Sequence, residues 1–223
     1  MQSEQFLKRL NEISDIDFLY SPEANTRIGV KMGDVFKLAK EYIDMPLREV
    51  KKLLIHDVHE ARVGAVSILD FNARNKKISD EYRKELYEFY LDNHQYINTW
   101  DLVDRAAPYV IGGYLNDKSR QPLYDLAKSS SPMERRTAIT ATYYFIREGD
   151  IDDTFALAAI LAGDKEKFVQ TAVGSWLREA GKQNSARLVD FLVVHKNELS
   201  KIAMRYAMEK LDQGEKELVK KIS

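Results

Sequence analysis

The chain has 223 residues, 44% of them hydrophobic and 31% charged, with 34 Lys and Arg against 35 Asp and Glu for a formal net charge of −1. That supplies a core for a single domain over 1–223, while the charge, the mean hydropathy of −0.43 and the lack of any long apolar run exclude an integral membrane protein. Zero Cys excludes a disulfide framework, a Cys-ligated metal and a thiol nucleophile, and the charge balance excludes a protein that grips phosphates through its overall field.

Met1 leads into Gln2-Ser3-Glu4-Gln5 without a basic and then apolar leader, so a cytoplasmic location is expected. With 10 Gly and 5 Pro the chain has too little turn chemistry for an all-β fold, and its punctuation reads as helix ends. Starts are predicted at Met45-Pro46, Ser79-Asp80-Glu81 and Gln121-Pro122, and stops at Gly163, Gly181 and Gly214. Ser131-Pro132-Met133-Glu134 reads as a capping box opening a helix to about Glu148, with Gly149 as the left-handed terminator and Asp150 capping the next helix. Apolar residues recur at three and four, as in Val50, Leu53 and Leu54, in Tyr82, Leu86, Phe89 and Tyr90, and in Phe155, Ala158, Ala159 and Leu161.

Short connections imply antiparallel helix pairs, and a degenerate repeat supports them. Glu60, Arg62 and Phe71 align with Glu134, Arg136 and Phe145 at a spacing of 74 residues, room for two helical hairpins. The expected fold is all-α, a solenoid of HEAT-like hairpins whose curvature creates a concave surface; the same pattern also allows a compact non-repeating helical domain.

Asn98-Thr-Trp100-Asp101-Leu-Val-Asp104 is the most unusual stretch. Asn98 or Thr99 is placed to cap a helix that Pro108 bends or stops, leaving Trp100 and Asp104 on one face. Asp101, in the first turn, complements the helix dipole. A Trp face beside a carboxylate suits a planar cation, although a Trp taken alone is more often a packing anchor. In Glu134-Arg135-Arg136 one Arg can pair locally while the other reaches a phosphate, against a bland reading as a solvated helix start. Gly174-Ser-Trp176-Leu-Arg-Glu179 holds the second Trp. His56 and His59 lie three apart, but no ligand-rich motif completes a metal site, so both are expected to be solvated or helix-end residues. Lys51-Lys52, Arg74 with Lys76-Lys77, and Lys118 with Arg120 form modest basic clusters.

Taken together, Asn98-Thr-Trp-Asp-Leu-Val-Asp104, Glu134-Arg-Arg-Thr-Ala-Ile139, Gly174-Ser-Trp-Leu-Arg-Glu-Ala180 and Arg205-Tyr-Ala-Met-Glu-Lys-Leu211 resemble the DNA alkylation repair family, the AlkD-like alkylpurine DNA glycosylases. Four separated segments match in order over nearly the whole chain. The resemblance implies a right-handed α-α superhelix holding duplex DNA on its concave face. It implies monofunctional hydrolysis of the N-glycosidic bond of N3- or N7-alkylated purines, with the lesion able to remain stacked, and a monomer needing no metal or cofactor. It places Asp104 and Trp100 at the catalytic site, with Trp176 as the second Trp and Arg136 as a DNA contact. Tyr20 falls near a Tyr that frames the family's lesion pocket, although the flanking Ser21-Pro-Glu-Ala-Asn-Thr26 differs. A non-catalytic DNA-structure-binding protein of the same fold and a protein-binding scaffold are the competing readings.

Overall fold

A computed structural model describes residues 1–15 and 27–221; Tyr20 lies outside the described residues. Among the described residues every regular element is helical, as the all-α expectation requires, and no helix is long and apolar enough to cross a membrane. The chain divides into two compact units, Met1–Ile111 and Gly112–Ser223.

The first unit contains α1 (Gln2–Glu12), α2 (Met32–Glu41), α3 (Leu47–Leu54), α4 (His59–Arg74), α5 (Asp80–Asp92), a 3-10 turn over His94–Tyr96, and α6 (Trp100–Ala107). Its centre is α4, which packs against α2, α3 and α6 and buries residues on all sides of its axis. That explains why an amphipathic stripe is hard to see in its sequence. Gly64 lets the Phe6 ring lie against the α4 backbone, because a Cβ there would stand 2.4 Å from the ring. Pro108 does not stop the chain's helical course. It follows α6 directly and opens a π turn over Pro108–Gly112, so the residue without an N–H sits where the helical ladder widens.

The second unit contains α7 (Gly113–Leu115), α8 (Gln121–Leu126), α9 (Pro132–Arg147), α10 (Asp152–Ile160), α11 (Lys167–Gly181), α12 (Ser185–His195), α13 (Lys201–Ala207), a 3-10 turn over Met208–Lys210, and α14 (Gln213–Lys221). Helices α9, α11 and α13 pack side by side, with α8 and α10 on α9 and α12 between α11 and α14. The closeness of α11 to α13 depends on Gly174, where a Cβ would meet the Ala203 carbonyl at 2.5 Å. The aligned segments from Glu60 and Glu134 fall on α4 and α9, each 16 residues long.

Ser131 accepts from the Glu134 amide as predicted, but Glu134 does not close a capping box. Its carboxylate accepts from the Ser129 hydroxyl instead, and Ser129 Oγ takes the Ser131 amide at 3.0 Å. Gly149 ends this helix at φ +88°, and Asp150 Oδ1 accepts the Asp152 amide at 3.1 Å. Nothing crowds the Gly149 Cβ position, so Gly149→Ala isolates the backbone penalty. It should lower unfolding free energy by about 1–2 kcal/mol in urea titrations without changing the slope. The predicted stop at Gly181 holds, as the last residue of α11, kept small by Leu188 at 2.3 Å from its Cβ position, whereas Gly214 lies in the first turn of α14.

Candidate active site

The first turn of α6 carries Trp100 and Asp101, and Asp104 follows one turn later. Trp100 and Asp104 line one cavity of about 420 Å³, together with Arg27, Met32, Phe36, Val63, Asp101 and Arg105. Trp100 is 49% exposed, far more than a packing anchor would be. The same helical spacing that suggested a shared face therefore brings an open indole and a carboxylate to one space.

The charge around that space is mixed. Arg105 lies over the rings of Phe36 and Phe71, at 4.4 and 4.6 Å, and its guanidinium reaches the fully buried Asp70 at 3.1 Å. Arg74 also holds Asp70, from the next turn of α4, at 2.8 Å. Burial raises the Asp70 carboxyl above its ordinary range even though both cations pull the other way. Arg27 is an exposed cation on the cavity wall.

Asp101 does more than complement a helix dipole. Its Oδ2 lies 2.6 Å from His59 Nε2, and burial, which would raise its carboxyl, is outweighed by the His59 hydrogen bond and charge, which hold it at about 2. His59 is the helix-end residue expected from sequence, the first of α4, but it is not solvated: it is 2% exposed. His56 does serve a helix start, with Nδ1 accepting the Val58 amide at 3.0 Å. Because the folded carboxyl of Asp101 lies below its ordinary 3.8, its stabilisation is complete above about pH 4 and is lost as the pH falls through 2. The stability gap between wild type and Asp101→Asn should accordingly be about 2 kcal/mol at pH 6 and close towards pH 2 in denaturant titrations.

Glu60, in sequence only a marker of the repeat, also supports the site. Its buried carboxylate accepts the amides of Ile28 and Gly29 at 3.2 and 3.1 Å, fixing the backbone beside Arg27. The available signal was Gly29, whose φ of +77° and whose Cβ position 2.0 Å from the Asp15 carbonyl demand glycine.

In the second unit, Trp176 is half-buried on α11. Its Nε1 donates to Thr140 Oγ1 at 3.1 Å, and its ring lies 5.0 Å from that of Tyr143. Arg136 is 5% exposed and donates through Nη1 to the Phe168 carbonyl. Arg135 takes the local pairing, with Nε 2.6 Å from Asp164. Among the described residues no cluster of three or more His, Asp or Glu is arranged to hold a metal ion.

Among the described residues the chain is all-helical in two compact units, and in the first an exposed indole and a carboxylate share a cavity. Residues 3–211 match the family described as DNA alkylation repair enzyme, and the chain belongs to that family. Two solved structures share the fold. AlkD2 from Streptococcus mutans is 17% identical with a TM-score of 0.64, covering 94% of this chain and 99% of its own. A predicted DNA alkylation repair enzyme from Enterococcus faecalis is 16% identical with a TM-score of 0.62, covering 95% and 96%. No curated protein matches significantly by sequence.

Proposed function

We propose that this protein is a monofunctional DNA glycosylase that hydrolyses the N-glycosidic bond of cationic N3- or N7-alkylated purines, such as 3-methyladenine and 7-methylguanine, in duplex DNA. The observation that carries the proposal is the shared cavity of Trp100 and Asp104, within a chain that belongs to the DNA alkylation repair family.

An alkylated purine already bears positive charge, so it leaves as a neutral base and needs no strong general acid. The barrier lies in the sugar, which develops oxocarbenium character as the bond to N9 stretches. Asp104 acts there as a carboxylate: it stabilises the developing positive charge and steers a water to C1′, accepting the proton that water loses. The exposed indole of Trp100 offers its π face to the cationic base or the sugar, a contact worth roughly 0.5–2 kcal/mol that ordinary neutral bases do not gain. Trp176 is retained as the second Trp on the resemblance alone. Arg136 is retained as a DNA contact on the resemblance alone, since in the structure it is 5% exposed and donates to the Phe168 carbonyl. Tyr20 is retained as a pocket residue on the resemblance alone. With the lesion approached from the backbone side, the chain works as a monomer, and no Lys is given a Schiff-base role, so the DNA strand stays intact.

The competing reading is a DNA-structure-binding protein without excision, for which the near-neutral total charge is the favouring observation. Release of 7-methylguanine from methylated duplex separates the two. A parallel titration with salt separates both from a protein-binding scaffold, because duplex affinity should fall with a log–log slope of about −0.9 per phosphate contact.

A further inference from the structure

Helix α6 carries both proposed reacting-site residues, yet it has little local support. It is eight residues long, the Thr99 side chain makes no cap hydrogen bond to it, and it runs straight into Pro108 and a π turn. Short helices without capping are marginal on their own, so the orientation of this one must come from tertiary contacts.

Two such contacts bracket Trp100 in the sequence, and both originate on the first turn of α4. On the C-terminal side, His59 Nε2 engages Asp101 Oδ2 at 2.6 Å. On the N-terminal side, Arg62 Nη1 donates to Asn98 Oδ1 at 2.8 Å. The two α4 residues also meet each other, with Arg62 Nη2 3.5 Å from His59 Nδ1. Asp101 lines the cavity beside Trp100 and Asp104, but its carboxylate is already committed to His59.

We infer that His59 and Arg62 are positioning residues: through Asp101 and Asn98 they clamp the first turn of α6, fixing the indole of Trp100 and the carboxylate of Asp104 against the substrate. The two cavity carboxylates then have separate tasks, Asp101 as an anchor and Asp104 as the group facing the sugar. This rests on the glycosylase function proposed above. An error of about 1 Å in placing a reacting group can cost 10²-fold in rate, whereas phosphate contacts elsewhere on the duplex are unaffected. The clamp should therefore govern the chemical rate and not duplex affinity.

The test compares wild type, His59→Ala and His59→Gln in single-turnover release of 7-methylguanine from methylated duplex, alongside affinity for undamaged duplex. His59→Ala should lose about 10- to 100-fold in rate with affinity changed less than about threefold, and His59→Gln, which keeps a donor near Asp101, should recover most of the loss. A second arm needs no activity. In a Trp176→Phe background Trp100 is the sole tryptophan, and in time-resolved anisotropy His59→Ala should raise the amplitude of its fast local motion about twofold, with His59→Gln restoring it. If His59→Ala does not fold, Asp101→Ser carries the same expectations. Wild-type excision by His59→Ala, a Gln variant no better than Ala, or unchanged Trp100 motion overturns the clamp. If wild type releases nothing above the spontaneous rate, the glycosylase function fails, and the anisotropy alone upholds or overturns the clamp.

Discussion

Asp104→Asn should reduce single-turnover release of 7-methylguanine by about 10²–10³-fold while leaving the affinity for methylated duplex within about threefold. The substitution keeps the size and helix position of the side chain and removes its charge. In the proposed reaction that charge acts chiefly in the transition state, where the deoxyribose becomes cationic, and much less on the bound ground state. A loss confined to rate follows from that difference. Trp100→Ala should behave differently, because an indole face attracts the cationic purine before the bond breaks as well as during its cleavage. Its effect is expected to divide between affinity and rate, and to be the smaller of the two.

The second large effect is on stability. Phe145 is fully buried on α9, and the Arg120 guanidinium lies 3.8 Å from its ring centroid. Arg120 in turn pairs with Asp150 at 2.6 Å and with Asp153, while the Tyr124 hydroxyl donates to Asp153 at 2.5 Å. Burial, with Asp153 beside it, pushes the Tyr124 phenol up to about 12. Phe145→Ala would leave a cavity and remove the apolar surface against which this charged cluster is arranged. Unfolding free energy should fall by about 3–5 kcal/mol, with a clear drop in the urea midpoint. Because the ring belongs to the second unit's core, the variant also reports whether that unit melts separately. Two resolved transitions would show that it does.

Much of the fold is legible in the chain because its helix ends are written with strong local signals. Ser79 and Ser131 both cap as their sequence context predicts, accepting from Tyr82 and Glu134, and Gly149 adopts the left-handed conformation. Gly214 misled because glycine marks either a helix terminus or simple tolerance of a turn, and here Asp212 caps the helix that contains it, accepting the Glu215 amide at 2.8 Å. Pro108 was expected to bend or stop the helix, and α6 does end at Ala107, but the chain continues helically through a π turn whose widening no local pattern announces.

The candidate site was legible only in part. The four-residue spacing of Trp100 and Asp104 is a local property, and it does bring them to one cavity. The role of His59 is not local. Asp101 lies 42 residues away in sequence, and a histidine beside His56 and Glu60 carries no mark of which distant carboxylate it meets. Glu60 presents the same difficulty, since its partners are backbone amides of residues 28 and 29, invisible to any pattern of side chains. The near-zero total charge also conceals a local arrangement. Arg27 and Arg105 stand on the wall of the cavity that holds Asp104, so the surroundings of the proposed reacting carboxylate are not uniformly acidic.

The most direct measurement is release of free 7-methylguanine from methylated duplex DNA by the wild-type protein in excess, followed over time against a protein-free control. Release well above the spontaneous rate, abolished by Asp104→Asn and without strand cleavage, is the predicted result. Release no faster than the control, at protein concentrations that demonstrably saturate the duplex, would contradict the glycosylase function.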